Sequence, residues 1–345
     1  MKPRFSFLAF VVAVIGLAAV AIPFTPARAG DVLYVGDSGD NTIKAFDAAS
    51  GAVVWTSDGP QISGLSGPRG IIVRGNELLV VNQNVDLAIS GEVLRFDRGT
   101  GAFLGVRIAA SDPGAPFAPF GMVLGAADDL FIGNLQRKDS VSPGRVNHHD
   151  AATGLFLGSL TVKGSEHHPR GVVFGPDGAL YTAARDLKNG LGGTIYRFNK
   201  VNGKAEVWID DKGGIGQLNR PDGLTFGPDG RLYVTSFLAQ TGDTDSIRVY
   251  DSDGSFVDAI ELFDPATEQR AFSQAIVFGP DGALFVSIFD RGALGNQLGE
   301  LRRYDVASKT YQVFAANVAD GGVLLQAGYL TFGETNPSTL GYEGE

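Results

Sequence analysis

The sequence predicts an all-β fold, a six-bladed β-propeller with four antiparallel strands per blade. Three observations predict it: a strand–turn–strand unit that recurs at a fixed period, a second pair of strands behind each copy, and chain ends that complete each other. The unit is GPRGIIVRGNELLVVNQ at 67–83, APFGMVLGAADDLFIGN at 118–134, HPRGVVFGPDGALYTAA at 168–184, RPDGLTFGPDGRLYVTS at 220–236 and FSQAIVFGPDGALFVSI at 272–288. Its small residue falls at Gly70, Gly121, Gly171, Gly223 and Ala275, giving intervals of 51, 50, 52 and 52 residues. A period near 50 with four short strands per repeat is a propeller blade.

The chain opens with Lys2 and Arg4 ahead of an apolar run, Phe5 to Ile22, that ends at Pro23 and leads to Ala27-Arg28-Ala29. That order reads as a secretory signal peptide over 1–29, cut before Gly30. A retained anchor is the rival reading, since the run approaches spanning length. The mature chain, 30–345, is then expected to be a single propeller domain, exported to the periplasm or beyond and monomeric. With no cysteine, a lipid anchor through a thiol is excluded. The leader holds three of the 28 basic residues and none of the 38 acidic ones, so the mature chain has a net charge of -13. That acidity disfavours nucleic acid and anionic membrane as partners.

From residue 31 the chain reads DVLYVGDSGDNTIKAFDAASGAVVW, three strands with no inner strand before them. Naming the strands A to D from the axis outward, this is B, C and D of a blade. Each later copy supplies A and B, and C and D follow around an aromatic or large residue, an Asp or Asn, and a Gly turn. These are Phe46-Asp47 with Gly51, Phe96-Asp97 with Gly101, His149-Asp150 with Gly154, Phe198-Asn199 with Gly203, and Tyr250-Asp251 with Gly254; Tyr304-Asp305 has Lys309 in place of the Gly. The acid or amide opens the turn, and the glycine takes the left-handed position. The last stretch, QAGYLTFG at 326–333, reads as a lone strand A, so both ends together build the sixth blade and leave no open array edge. No helix is expected after the leader. GPDG, repeated in three blades, is a hairpin turn and not a phosphate loop, because no helix and no Lys-Ser/Thr pair follow it.

Six inner strands converge on one axis, so the residue before each small position is best placed to face the channel mouth. Those residues are Arg69, Phe120, Arg170, Asp222, Gln274 and, in the sixth blade, Gln326 or Ala327. Two guanidinium forks, a carboxylate and an amide suit a small polar or anionic ligand, or a protein partner. The plainer reading is that Asp222 neutralises Arg170 and Arg69. His167 and His168 precede Pro169-Arg170, and His168 is a candidate metal ligand or base beside Asp222. His149 occupies a packing-aromatic position, next to His148. Strand B ends add Asp37, Asn82, Asn134, Ala184-Arg185, Ser236 and Ser287. Asp37, Asp40 and Asn41, or Asp243 and Asp245, suit calcium by atom type but lack the spacing of a calcium loop, and turn formation explains them. No G-x-S-x-G and no activated nucleophile is present.

The repeats P-x-G-[LV]-x-F-G-P-D-G-x-L-[YF]-V, with Asp37 to Asp47 as a second signature, resemble NHL-repeat proteins and the SMP-30/gluconolactonase/LRE-like group, with streptogramin lyases as a related branch. The resemblance spans the mature chain. It implies a six-bladed propeller and, in the gluconolactonase-like enzymes, a divalent cation (Ca, Mg or Zn) held in the channel by Glu, Asn and Asp, with a further Asn on the substrate. Asp222 matches the family Asp; Arg170 stands at the Asn position, Phe120 near the substrate Asn, and Gln326-Ala327 near the Glu. The expectation is a ligand-binding or interaction scaffold working through the mouth. The alternative is a metal-dependent lactonase or lyase in which Asp222 and His168 hold the metal.

Overall fold

The short apolar runs and the turns between them form twenty-four strands among the described residues, 31–84, 90–136, 143–163, 167–187, 190–292 and 296–344, of the computed structural model. The expected leader lies outside that set. In chain order the strands are β1 (Val32–Asp37), β2 (Thr42–Asp47), β3 (Val53–Thr56), β4 (Pro68–Arg74), β5 (Glu77–Asn82), β6 (Glu92–Asp97), β7 (Phe103–Ile108) and β8 (Pro119–Leu124). Then come β9 (Asp129–Gln136), β10 (Pro143–Asp150), β11 (Phe156–Leu160), β12 (Pro169–Phe174), β13 (Leu180–Arg185), β14 (Gly193–Phe198), β15 (Ala205–Asp211) and β16 (Leu224–Phe226). The last eight are β17 (Leu232–Ser236), β18 (Ser246–Tyr250), β19 (Phe256–Glu261), β20 (Ala271–Phe278), β21 (Leu284–Arg291), β22 (Glu300–Asp305), β23 (Thr310–Ala315) and β24 (Ala327–Phe332).

They make six four-stranded antiparallel sheets, five from consecutive strands and one in the order β24-β1-β2-β3. The inner strands β4, β8, β12, β16, β20 and β24 neighbour one another around a closed ring. Asp37, fully buried at the end of β1, fastens the closure: its carboxylate accepts the Leu325 and Gln326 backbone N–H groups, each at 2.8 Å, and pairs with Lys44 at 2.8 Å. This carboxylate therefore holds a strand and a lysine. One helical turn, Pro60–Ser63, and two short 3-10 turns depart from the all-strand expectation. The first starts at Pro60, where proline's fixed φ suits a helix start, and stops at Gly64 with φ 71°.

The core is divided among the blade interfaces. Leu33 packs with Val277 and Phe285, Tyr34 with Ile71 and Leu78, Ile72 with Met122 and Leu130, and Val123 with Val172 and Leu180. Val173 and Tyr181 pack with Leu224 and Leu232, and Tyr233 with Ile276 and Leu284. Burial on both faces is why the A and B strands read as continuous apolar runs. The F-G and L-[YF] positions of the repeat meet across four of these interfaces. Phe131 meets Phe174, Tyr181 meets Phe226, Tyr233 meets Phe278 and Phe285 meets Phe332, edge-on at 5.3, 5.2, 5.0 and 4.8 Å. Such pairs add about 0.5–1.5 kcal/mol each beyond area burial.

Crowding at the axis explains the small residue. A Cβ on Gly70 would stand 2.7 Å from the Met122 nitrogen, one on Gly121 2.9 Å from the Arg170 oxygen, and one on Gly171 2.3 Å from the Asp222 oxygen. The floor of the channel is closed by the segment after β24. Leu124 donates to the Pro337 carbonyl at 2.8 Å, Phe174 to that of Ser338 at 3.0 Å, and Thr225 Oγ1 to that of Leu340 at 3.3 Å. Leu340 thereby enters the lower channel, where it and the small-residue layer enclose about 30 Å³, room for about one water.

Candidate functional site

The turns that start five of the six inner strands each bring one side chain, Arg69, Phe120, Arg170, Asp222 or Gln274, to the channel mouth, where most of them are buried. Pairing of Val35 with Leu330 and Asp37 with Ala327 fixes the sixth blade: Gly328 corresponds to Arg69, and Tyr329 to Gly70. The expectation of Gln326 or Ala327 at that place is thus corrected by one or two residues. Gln326 instead donates to Asp290 at 3.1 Å, and Ala327 occupies the proline position of the repeat. The register was available in the sequence, since Leu330-Thr331-Phe332-Gly333 repeats Leu224-Thr225-Phe226-Gly227 residue for residue.

Asp222 is the centre of the mouth and is fully buried. Arg185 donates to its Oδ1 from Nε at 3.1 Å and Nη2 at 2.8 Å, and Arg170 Nη1 donates to Oδ2 at 3.2 Å. Arg170 Nε also lies 3.1 Å from Oδ1, but without hydrogen-bond alignment, so this nitrogen is buried unpaired. Asp222 therefore neutralises Arg170 as the plainer reading expects, but its second partner is Arg185 and not Arg69. Arg185 is the last residue of strand β13, at the register position where the other five blades carry Ser38, Gln83, Leu135, Phe237 and Phe289, none of them charged. That difference was the sequence signal for its role.

Arg69 is held differently. Its Nη1 donates to Ser38 Oγ at 2.7 Å and to the Pro68 carbonyl at 3.1 Å, and its buried Nε has no partner. Its guanidinium lies 5.6 Å from the Phe120 ring centroid and 5.8 Å from that of Phe289. Arg170 stacks more closely on Phe120, at 3.8 Å. Phe120 is thus a shared platform for two cations, an interaction that strengthens when water is excluded. Burial presses the Arg170 guanidinium down to about 9, still cationic at neutral pH, and lowers Arg69 as well.

Tyr329 is the residue that the sequence reading missed. It is a large side chain in a layer otherwise made of Gly70, Gly121, Gly171, Gly223 and Ala275, and it is nine-tenths buried. Its hydroxyl has no hydrogen-bond partner. Burial, reinforced by the Asp222 charge, holds its pKa far above the ordinary phenol value, with Arg170 and Arg69 opposing, so it stays protonated and is a donor. Gln274, also buried, leaves its Oε1 unpaired. A second group of cations lies beside the mouth, with Arg185, Arg220 and Arg270 at 4.8, 5.9 and 5.9 Å from the Phe237 ring. Of these, Arg270 is matched by a two-point grip on Asp245 at 2.7 and 2.9 Å.

The histidines do not join the site as one group. His167 is fully buried, its Nε2 bonded to Thr182 Oγ1 at 3.1 Å and its ring edge-on to Tyr196; burial lowers its pKa to about 3. His168 Nδ1 donates to the Leu135 carbonyl at 2.8 Å. His149 packs edge-on against Phe156, as its aromatic position predicts, and His148 stacks on Phe131. Among the described residues no three His, Asp or Glu side chains converge to hold a metal. The donor set around Asp222 does not fit a divalent cation either, because both carboxylate oxygens are occupied by guanidinium groups. Asp37 and Asp40 hold Lys44 between them, and Asp245 holds Arg270, so neither acidic stretch presents a calcium cradle.

A family model described as outer membrane protein assembly factor BamB matches residues 10–118. No curated protein matches the chain significantly. Among solved structures, a catalytically inactive virginiamycin B lyase from Staphylococcus aureus with quinupristin is 14% identical, with 84% of this chain and 82% of that chain covered and a TM-score of 0.51. A hypothetical selenium-binding protein from Sulfolobus tokodaii is 13% identical, with 92% and 81% covered and a TM-score of 0.61. A candidate gluconolactonase is 14% identical, with 80% and 87% covered and a TM-score of 0.53. At these identities the likeness is one of fold: a β-propeller shared with lyase and lactonase-like proteins.

Proposed function

We propose that this chain is an exported ligand-binding propeller whose channel mouth takes a small anionic molecule. One observation carries the reading. Two guanidinium groups, Arg170 and Arg185, share the single carboxylate of Asp222, and a third at the same mouth, Arg69, has no carboxylate partner among the described residues, leaving surplus positive charge in a chain whose formal net charge is -10. Buried polar groups without partners at the same mouth, Arg69 Nε, Gln274 Oε1 and Tyr329 Oη, support it, since such groups in a native protein call for a water, an ion or a ligand. Arg stems stacked on Phe120 and Phe237 are pre-positioned, so little side-chain entropy is lost on binding. The basic-apolar leader over 1–29 supports export, and the acidic surface argues against nucleic acid as the ligand.

The test is calorimetric titration of the mature protein with small anions, paired with Arg170→Met. Saturable 1:1 binding that is lost in the variant is expected; no binding of any small anion at tens of millimolar would overturn the proposal. The fold likeness to a lyase and a lactonase-like protein keeps an enzyme reading in view. The arginine partners of Asp222 count against its metal-dependent form. Fractionation of cells expressing the full chain tests export, with mature protein missing the leader as the expected product.

A further inference from the structure

We infer that the ligand presents a carboxylate to the free edge of Arg69, with the Tyr329 hydroxyl as a further donor and the Tyr329 ring as the limit to how deep the ligand enters. This deepens the reading of the mouth as an anion site and rests on it.

Arg185 sets Nε and Nη2 on one oxygen, Oδ1, of Asp222, whereas Arg270 grips both oxygens of Asp245, and Arg74 both oxygens of Asp128, through the same pair of nitrogens. This side-on fork matches the two oxygens of a carboxylate. In Arg69 the opposite nitrogen, Nη1, is spent on Ser38 and the Pro68 carbonyl, which fixes the group while its Nε–Nη2 edge carries no hydrogen bond among the described residues. Arg69 is 7% exposed, so a donor there without an acceptor costs about 1–3 kcal/mol in the unliganded protein. The edge that Arg74, Arg185, Arg197 and Arg270 turn to the protein's own carboxylates is thus available on Arg69 for a foreign one.

Tyr329 lies one residue beyond the mouth layer, in the ring of small residues. It lines the same space as four glycines and Ala275, and its hydroxyl is buried without a partner among the described residues. Because Leu340 closes the channel below, a ligand enters from the mouth and stops at Tyr329. Three donors, Nε–H and Nη2–H of Arg69 and O–H of Tyr329, suit the lone pairs of one carboxylate. A doubly charged phosphate has a third oxygen that this set leaves unanswered. Phe120 forms an apolar side wall under both Arg69 and Arg170, and the unpaired Gln274 Oε1 accepts from a donor elsewhere on the ligand.

The experiment titrates the mature protein and the variants Arg69→Lys and Tyr329→Phe with acetate and with inorganic phosphate, at constant ionic strength. Arg69→Lys keeps the charge and removes the fork; Tyr329→Phe keeps the ring and removes the donor. Acetate is expected to bind more tightly than phosphate, and each variant to weaken acetate by about tenfold or more, the loss of one charge-assisted hydrogen bond. Circular dichroism and thermal melts within a few degrees of wild type establish that both variants fold. If anions bind and Arg170→Met abolishes binding while both variants bind acetate like wild type, the mouth reading stands and this inference falls. Phosphate preferred over acetate overturns the carboxylate assignment alone. No anion bound by the wild type overturns both.

Discussion

Replacing Asp222 by Ala removes the only carboxylate that Arg170 and Arg185 share. The side chain is fully buried and the two arginine side chains are 13% and 14% exposed, so the variant keeps two desolvated cations with no counter-charge between them. Breaking a buried pair by deleting one partner costs about 3–5 kcal/mol, and three hydrogen bonds to Asp222, at 3.2, 3.1 and 2.8 Å, go with it. At a urea slope of about 3 kcal/mol/M, the unfolding midpoint falls by about 1–2 M. The vacated space also becomes an anion site of the right shape. At a hundred times its dissociation constant for the vacated site, acetate restores about 2.7 kcal/mol, in addition to what it contributes at Arg69 in both proteins. Urea unfolding followed by tryptophan fluorescence, with and without acetate, measures both effects. A midpoint within about 0.2 M of wild type, or a variant no more responsive to acetate than wild type, would show that Asp222 does not hold these arginines together.

Three other outcomes are expected. The folded pKa of His167 is about 3 against an ordinary 6.5, so the unfolded state binds the extra proton first; stability is complete above pH 6.5 and falls as pH drops toward 3, by roughly 4–5 kcal/mol in total. His167→Phe should flatten that part of the stability–pH curve. Asp37→Ala should cost about 3–5 kcal/mol by leaving Lys44 and two backbone N–H groups of the closing strand unanswered, read as a lowered thermal midpoint; an unchanged midpoint would deny the carboxylate its fastening role. Gly171→Ala puts a Cβ 2.3 Å from the Asp222 backbone oxygen, so destabilisation of about 1–3 kcal/mol is expected, with anion binding weakened because the Asp222 backbone must shift.

Blade number and strand order were legible because each rests on something repeated. The aromatic pairs between Tyr181 and Phe226, or Phe285 and Phe332, enforce the same two positions blade after blade, and backbone crowding enforces glycine at the third. Asp177 and Asp229 show why GPDG recurs with a following tyrosine: each turn carboxylate accepts a backbone N–H two residues on and the hydroxyl of Tyr181 or Tyr233. The sealing segment from Pro337 to Leu340 had no such signal. It occurs once, and its hydrogen bonds go to the ends of β8, β12 and β16, which are remote in sequence.

The site is built from the places where the repeat fails, so the most informative positions were those that matched their neighbours least. Arg185 stands where the other blades carry the uncharged Ser38, Gln83, Leu135, Phe237 and Phe289, and its charge is answered by Asp222. Tyr329 follows the same logic in the innermost layer. Four glycines are required there because a Cβ on each would meet the backbone of the next blade, Ala275 is the fifth small residue, and Tyr329 lines the axial space of this layer from the sixth position. Two tyrosines could not share that space. Tyr329 is thus the single large residue of this ring, and the blade that carries it sets both the depth of the mouth and the direction from which a donor meets the ligand. In this chain it is the blade that joins the two ends, where Asp37 also grips the backbone just before β24, so ring closure and the floor of the site depend on the same strand.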